Sequence, residues 1–261
     1  MSEQPSQQEK ARLFKALHVS GDPIILFNVW DVDSALAVAS QGAKAIATSH
    51  HAIANSYGYE DGESMPLELD LNNMQRIADA TELPVSVDFE TGYGGTPTEV
   101  KASVARALAT GIVGINLEDR GESDGELREL QDACDRITAA RAAADERGVD
   151  LVINGRTNLF FYASDDEKAN DDIVDKLLER AKAFKDAGAD CFFAPGMSDI
   201  GQIRRLCAES PLPVNVIWFP GFPSPHDLSQ AGVSRISYGP GPYLDMIEWL
   251  KDKAGKALSD K

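Results

Sequence analysis

The stretch Gly111-Ile112-Val113-Gly114-Ile115-Asn116-Leu117-Glu118 joins a glycine, a short apolar run and a polar end. Glycine readily adopts the left-handed conformation that ends many helices, so we interpret Gly111 as a helix stop directly before a strand. Weaker copies of this pattern begin at Gly42, Gly188 and Gly232. The stretch therefore predicts one unit of a repeated series in which a helix is followed by a strand.

Apolar runs rich in β-branched residues extend this series along the chain. They give eight candidate strands, at residues 24–27, 45–48, 85–89, 113–117, 151–154, 191–194, 214–218 and 234–238. Segments of helical periodicity separate the runs. Two of these segments begin with a hydroxyl residue followed by proline, at Thr96-Pro97 and Ser224-Pro225, which is typical of a helix start.

This alternation predicts an α/β fold, a single (β/α)8 TIM barrel that occupies residues 1–261. We expect a leading helix around residues 7–18 and a trailing helix around residues 243–258. No tract of linker composition divides the chain into two domains. An open, doubly wound sheet is the alternative architecture.

Charge and composition exclude several classes of function. The chain has 42 acidic against 25 basic residues and a net charge of −17, so we expect no binding to nucleic acid or to an anionic membrane surface. No apolar run approaches the ~20 residues that span a bilayer. The first residues lack the features of an export signal, and three cysteines without metal-type spacing fit reduced thiols. These observations favour a cytoplasmic protein.

Acidic residues follow two neighbouring strands of the predicted barrel, where active sites are built. Asp88 and Glu90 are two positions apart, so strand alternation points both into the barrel mouth, and Glu118 joins them from the next strand. Such carboxylates repel one another unless a cation compensates, and oxygen ligands favour Mg²⁺ over Zn²⁺. The alternative is that these acids cap helices or pair with Arg120 and Arg156.

The segment Thr91-Gly92-Tyr93-Gly94-Gly95-Thr96 follows the third strand. Its glycines permit close approach of backbone to a ligand, which makes Gly92 a candidate substrate contact. The segment contains neither of the glycine patterns GxGxxG and GK[ST], so it is not a dinucleotide or P-loop fingerprint.

A set of motifs in order along residues 27–240 resembles the isocitrate lyase/phosphoenolpyruvate mutase superfamily. The most specific is Asp88-Phe89-Glu90-Thr91-Gly92-Tyr93-Gly94. The others are Asn28-Val29-Trp30-Asp31, Thr48-Ser49, Gly58-Tyr59-Glu60-Asp61, Gly114-Ile115-Asn116-Leu117-Glu118-Asp119, Arg156-Thr157-Asn158 and Arg235-Ile236-Ser237-Tyr238-Gly239.

The resemblance implies a barrel that depends on Mg²⁺, or on Mn²⁺, and that makes or breaks a C–C or P–C bond of a 2-oxo acid through a pyruvate enolate. By position, Asp88, Glu90 and Glu118 would hold the metal, partly through water. Arg156 would bind a substrate oxyanion or carboxylate, Ser49 would bind the 2-oxo carboxylate, and Asp61 would flank the reacting group. The resemblance implies that Asp61, Glu118 and Arg156 take part in catalysis.

Four further residues are candidate substrate contacts. Trp30 would pack beside the substrate carboxylate, and Asn215 and Arg235, on the seventh and eighth strands, would complete the pocket or serve a structural role. His50 departs from the family, which usually has small residues after the serine that matches Ser49. His50 and His51 are read as the end of the second strand, where neighbouring side chains point in opposite directions, so at most one imidazole faces the site.

The loop after the fourth strand bears on the reaction. Family lyases that act on isocitrate or methylisocitrate carry a Lys-Lys-Cys-Gly-His loop, and the phosphonate enzymes use a lysine and an asparagine there. Residues 119–127 contain no cysteine, lysine or asparagine. Cys134 lies further on and is interpreted as a packed side chain. The resemblance therefore favours a lyase or decarboxylase acting on an oxaloacetate-like 2-oxo acid. The alternatives are a P–C bond enzyme and a non-catalytic 2-oxo acid binding protein.

The C-terminal helix carries large apolar residues on an amphipathic pattern, including Trp249. It could cover the bottom of the barrel. Family members exchange or pack such helices between subunits, so the resemblance implies a homodimer or homotetramer.

Overall fold

A computed structural model describes residues 5–121, 123 and 125–259. Eight parallel strands form one sheet in the order β1-β8-β7-β6-β5-β4-β3-β2. The strands are β1 Ile24–Leu26, β2 Ile46–Ala47, β3 Val85–Asp88, β4 Gly114–Glu118, β5 Val152–Arg156, β6 Cys191–Phe193, β7 Val214–Ile217 and β8 Arg235–Ser237. The predicted TIM-barrel fold is confirmed, and the doubly wound alternative is wrong because β1 and β8 pair directly.

Helices surround the strands and fill the connections. They are α1 Gln7–Ala16, α2 Val32–Ser40, α3 His50–Ser56, α4 Leu67–Ala80, α5 Pro97–Ala109, α6 Leu130–Arg147, α7 Leu159–Tyr162, α8 Asp165–Lys168, α9 Asp172–Asp186, α10 Ile200–Glu209, α11 Pro225–Gln230 and α12 Gly241–Ser259. Capping boxes begin α5 at Thr96 and α11 at Ser224, as the hydroxyl–proline signals predict. In the part of the chain that the structure describes, no helix is long and apolar enough to cross a bilayer.

The barrel is narrowly open between β1 and β2. These strands share no ladder, and a single parallel bridge joins Val29 to Thr48 beyond their ends. The other neighbouring strands pair in register, so the carboxyl ends of β3, β4 and β5 lie side by side. This register places the acids of β3 and β4 next to Arg156 at the end of β5.

The interior of the barrel is polar, whereas the layer between strands and helices is apolar. Asn116 Oδ1 on β4 accepts hydrogen bonds from Asn154 on β5 and from Arg235 on β8, across the barrel. Arg235 is fully buried, and its Nη1 has no hydrogen-bond partner among the described residues. Burial lowers the pKa of this guanidinium to about 10, so it still carries its charge at neutral pH.

Two local predictions reach the right outcome, but the strand alternation on which they rest is absent. β3 ends at Asp88, and Glu90 adopts a left-handed backbone with φ of 51°, so a turn rather than the strand pleat directs its side chain. His50 and His51 open α3 rather than ending a strand. The side chain of His50 is fully buried and that of His51 is 37% exposed. Consecutive side chains on a helix point in different directions, so only one imidazole points inward.

Candidate functional site

A cavity of about 260 Å³ opens at the carboxyl ends of β3, β4 and β5. Asp61, Gly62, Glu90, Glu118, Arg120, Arg156, Asn158, Phe161 and Tyr162 line it. A larger hollow of about 540 Å³ lies beside the start of β1, but its lining is mostly aliphatic and carries only Asp22 and Lys44 as charged groups. Titratable groups converge in the smaller cavity, which therefore is the candidate site.

Glu118 is the central anion of the site. It is buried, and its carboxylate accepts hydrogen bonds from Arg120 Nε at 2.8 Å and Asn158 Nδ2 at 2.9 Å, with Arg156 Nη2 at 3.1 Å. Burial opposes its charge, but the Arg156 guanidinium and the Asn158 amide hold the pKa of Glu118 below its usual value. Glu118 therefore stays ionised and fixes both arginines.

Glu90 and Asp88 are less well compensated. Glu90 Oε2 lies 3.2 Å from Arg120, and Asp88 Oδ1 accepts from Asn116 and lies 4.0 Å from Arg156. Burial raises the pKa of Glu90 to about 8, and the neighbouring charges of Glu118 and Asp88 add to the shift. Burial also raises the pKa of Asp88. The charged forms of both acids are therefore disfavoured unless a further cation is bound.

His50 lies between two of these acids. Its Nδ1 is 3.1 Å from Asp61 Oδ1 and 3.1 Å from Glu90 Oε1, and its Nε2 is 2.7 Å from the hydroxyl of Tyr93. Burial opposes protonation, but hydrogen bonds to Asp61 and Glu90 outweigh it and raise the pKa of His50 to about 11. Burial likewise opposes the charge of Asp61, and His50 lowers the pKa of that acid to about 2.

These groups fit a divalent cation. One ligand atom from each of His50, Asp61 and Glu90 lies within 4.8 Å of the others. Asp88 and Glu118 are outside that close set. Arg120 joins Glu118 to Glu90, and Arg156 joins Glu118 to Asp88. Buried carboxylates whose pKa is raised are the groups that a bound cation would stabilise.

The structure brings some predicted residues into the cavity and leaves others outside its lining. Asp61, Glu90, Glu118 and Arg156 line it. Pairing of the acids with Arg120 and Arg156, the alternative to a metal role, is also present. Ser49 is buried at the start of α3, and the ring of Trp30 packs 5.3 Å from that of Tyr243.

Gly92, Asn215 and Arg235 lie outside the cavity lining. A Cβ on Gly92 would meet Val100 Cγ1 at 2.8 Å, and the backbone has φ of 100°, so close packing against α5 explains this glycine. Asn215 and Arg235 are fully buried inside the barrel. Their hydrogen-bonding partners there are Ser237 for both and Asn116 for Arg235.

Sequence reasoning missed the two residues that hold the glycine segment 91–95 in place. Glu63 Oε1 accepts hydrogen bonds from the backbone of Thr91 and Tyr93 and from the Thr91 hydroxyl. Arg136, buried on α6, donates to the carbonyls of Gly94 at 2.7 Å and Gly95 at 2.8 Å. Arg136 was detectable in principle, because it interrupts the apolar face of a helix and must find partners there; no sequence pattern points to Glu63.

Three comparisons describe what this chain is similar to. The phosphoenolpyruvate phosphomutase family model matches residues 14–258. The crystal structure of a presumed phosphonomutase from Burkholderia cenocepacia superposes with a TM-score of 0.93 at 44% identity, covering 97% of this chain and 100% of that one. An oxaloacetate decarboxylase of Rhodopseudomonas palustris is 32% identical over 147 residues, which are 54% of this chain and 47% of that protein. Phosphonopyruvate hydrolase, solved with oxalate and Mg²⁺, shares the fold with a TM-score of 0.81 at 20% identity, covering 96% and 87% of the two chains.

Proposed function

Because the chain belongs to the phosphoenolpyruvate phosphomutase family, as the sequence motifs predict, we propose that it is a lyase or decarboxylase of a small, oxaloacetate-like 2-oxo acid. The observation that carries this proposal is the composition of the cavity. Two guanidinium groups and the buried acids Glu90 and Glu118 surround a space of about 260 Å³, which suits a small anionic substrate.

Arg156 is the residue that would bind the substrate carboxylate. Its guanidinium is held by Glu118 at 3.1 Å and lies beside Asp88, so its direction is fixed before a substrate enters. A planar guanidinium offers two parallel donors to a carboxylate. Ser49, buried at the start of α3, is the proposed partner of the 2-oxo carboxylate.

Asp88, Glu90 and Glu118 would hold Mg²⁺ or Mn²⁺. When bound, the ion supplies Lewis acidity toward the 2-oxo group of the substrate. Arg120 and Arg156 hold the three acids close together from two sides, and a bound ion would favour the charged forms of Asp88 and Glu90. The same guanidinium groups keep an anionic substrate in the cavity.

Decarboxylation matches the loop that follows β4. When the C–C bond breaks, CO₂ leaves as a neutral molecule, and the electron pair stays on the methylene carbon and is delocalised toward the 2-oxo oxygen. That carbon then takes a proton from water to give pyruvate. No protein acid is needed at the departing carbon, and residues 119–127 offer neither cysteine nor lysine. Asp61, whose side chain is 46% exposed at the cavity rim, would flank the reacting group.

Nuclear magnetic resonance on two substrates tests the proposal. The protein is incubated with Mg²⁺ or Mn²⁺ and with either oxaloacetate or phosphonopyruvate, and the ¹H and ³¹P spectra are followed. We expect pyruvate from oxaloacetate faster than the metal alone produces it, and an unchanged ³¹P spectrum. Oxaloacetate decay at the rate given by the metal alone would contradict the proposal.

A P–C bond enzyme is the second candidate. The Burkholderia cenocepacia protein described as a presumed phosphonomutase is 44% identical over nearly the whole chain, which supports this candidate. The loop 119–127 argues against it because it lacks the lysine and asparagine that such enzymes use there. A change in the ³¹P signal of phosphonopyruvate would show that the protein is a P–C bond enzyme. Tight, metal-dependent oxalate binding without turnover of either substrate would instead indicate a 2-oxo acid binding protein.

We further propose that the protein is a cytoplasmic homodimer or homotetramer. On α12 the large apolar residues Leu244, Trp249 and Leu250 are 45%, 60% and 50% exposed. The apolar hollow beside β1, where Ile25 and Phe27 are 42% and 44% exposed, offers a second uncovered surface. Exposed apolar patches of this kind mark contacts between proteins. Three free cysteines support a reducing compartment.

A further inference from the structure

We propose that His50 Nδ1 is a ligand of the metal, and that the site therefore prefers a first-row transition ion to Mg²⁺. This inference rests on the metal site of the proposed function, with which it shares Glu90, and adds a nitrogen donor beside that acid. The donors in question are His50, Asp61 and Glu90, which come from the start of α3, from the segment before α4 and from the turn after β3.

The separations between these donors match a coordination sphere. Ligands at about 2.1 Å from an ion and at right angles to each other are ~3 Å apart. His50 Nδ1 lies 3.1 Å from Asp61 Oδ1 and 3.1 Å from Glu90 Oε1. His50 Nδ1 is therefore close enough to each of the two carboxylates for the nitrogen to share an ion with them.

The second ring nitrogen is held in the manner of a metal-binding histidine. Nε2 lies 2.7 Å from the Tyr93 hydroxyl, and the ring is fully buried, so its orientation is fixed. Ligating histidines usually engage their other nitrogen in this way, which sets the tautomer; an ion at Nδ1 would displace the proton that this nitrogen otherwise shares with the two carboxylates. Tyr93 is itself held by Glu63 through its backbone N–H.

A nitrogen donor changes which ion is favoured. Mg²⁺ prefers oxygen ligands, whereas imidazole suits borderline ions such as Fe²⁺, Co²⁺ and Zn²⁺. His51 does not share this position, because its side chain is 37% exposed and its Nδ1 lies 3.4 Å from Asp61 Oδ2, the oxygen that His50 does not contact. The preference should therefore depend on His50 and not on its neighbour.

Pulsed electron paramagnetic resonance of the full chain loaded with Mn²⁺ tests the ligand directly. We expect a ¹⁴N coupling to the bound ion that becomes a ¹⁵N coupling when histidine is labelled with ¹⁵N. The coupling should vanish in His50→Gln and persist in His51→Gln and in His226→Gln, a matched change at an exposed position on α11. The labelling arm needs no variant, so the test stands even if His50→Gln fails to fold.

Affinity gives a second readout. Calorimetry should show that His50→Gln weakens Co²⁺ binding by about 10-fold or more, with Mg²⁺ binding changed less than about 3-fold. Bound Mn²⁺ without nitrogen coupling, or a coupling that survives His50→Gln, would overturn the role of His50 and leave the proposed function standing. A protein that binds no divalent ion would overturn both.

Discussion

Single residues determine the charge of the site, and Arg156 is the residue whose role is easiest to test by substitution. It contacts Glu118 at 3.1 Å, lies 4.0 Å from Asp88, and reaches the cavity from the end of β5. The sequence indicates Arg156, Glu90 and Glu118 because strand ends meet at one face of a barrel. The sequence also offers Arg120 as a partner of the acids, but its contact with Glu90 depends on the turn that gives Glu90 its left-handed backbone.

Replacing Arg156 should remove substrate binding more than it alters folding. We expect Arg156→Gln to lower kcat/KM for oxaloacetate by about 100-fold or more, because a desolvated, charge-assisted carboxylate contact is lost. Arg205→Gln, at a partly exposed ion pair between α10 and α9, is the matched control and should leave kcat/KM unchanged. Equal kcat/KM values for wild type and Arg156→Gln would contradict the assigned role.

His18 should make the protein less stable in mild acid. Burial, together with the charge of Arg235, lowers the pKa of His18 to about 4 from 6.5. The folded state therefore binds fewer protons than the unfolded state, and stability is complete above pH 6.5 and falls as the pH approaches about 4. Urea denaturation should show a loss of about 1–2 kcal/mol between pH 7 and pH 5 that His18→Leu removes. An identical pH dependence in the variant would exclude His18 as the cause.

At the scale of elements, the glycine segment 91–95 is fixed by groups on both sides. Glu63 holds Thr91 and Tyr93, and Arg136 on α6 holds the carbonyls of Gly94 and Gly95. This segment directs Glu90 and places Tyr93 against His50. The order and type of elements follow from local periodicity and capping, but these contacts join positions far apart in sequence and so were not predictable.

Arg136→Met should destabilise the whole domain. It removes a buried guanidinium that satisfies the carbonyls of Thr91, Gly94 and Gly95, and we expect a loss of about 3 kcal/mol in the free energy of unfolding. Arg147→Met, at the exposed end of the same helix, should change it by less than about 0.5 kcal/mol. Similar unfolding midpoints for the two variants in urea would refute the role of Arg136.

Substitution of two neighbouring glycines in this segment by alanine should have different effects on stability. A Cβ on Gly94 would lie 2.6 Å from the backbone nitrogen of Val100, whereas one on Gly95 would lie 3.3 Å from the flexible carboxylate of Glu99. We expect Gly94→Ala to cost about 2 kcal/mol or more and Gly95→Ala less than about 1 kcal/mol, as measured by thermal unfolding. A Gly95→Ala variant as unstable as Gly94→Ala would show that α5 does not set this constraint.

On the scale of the whole molecule, the barrel and the helix at each end were predictable because eight apolar runs alternate with helical segments. The polar interior was not, since hydrogen bonds such as that from Arg235 to Asn116 cross the barrel and leave no periodic signal. The opening between β1 and β2 was not predictable either, because it depends on how far two short strands extend, which periodicity does not indicate.

The exposed large apolar side chains of α12 predict assembly. Light scattering of the wild type at micromolar concentration should give the mass of a dimer or tetramer, and Trp249→Glu with Leu250→Glu should shift it toward the monomer. Lys253→Glu, on the same helix at an exposed position, should leave the mass unchanged. A monomeric wild type would refute the predicted oligomer.

We propose that a metal-dependent 2-oxo acid reaction takes place among Asp88, Glu90, Glu118 and Arg156. The initial rate of pyruvate formation from oxaloacetate at increasing divalent metal, with the rate given by the metal alone subtracted, tests this site. We expect a saturable, protein-dependent rate in the wild type that Asp88→Ala abolishes. A wild-type rate equal to that of the metal alone, or an Asp88→Ala rate equal to that of the wild type, would contradict it.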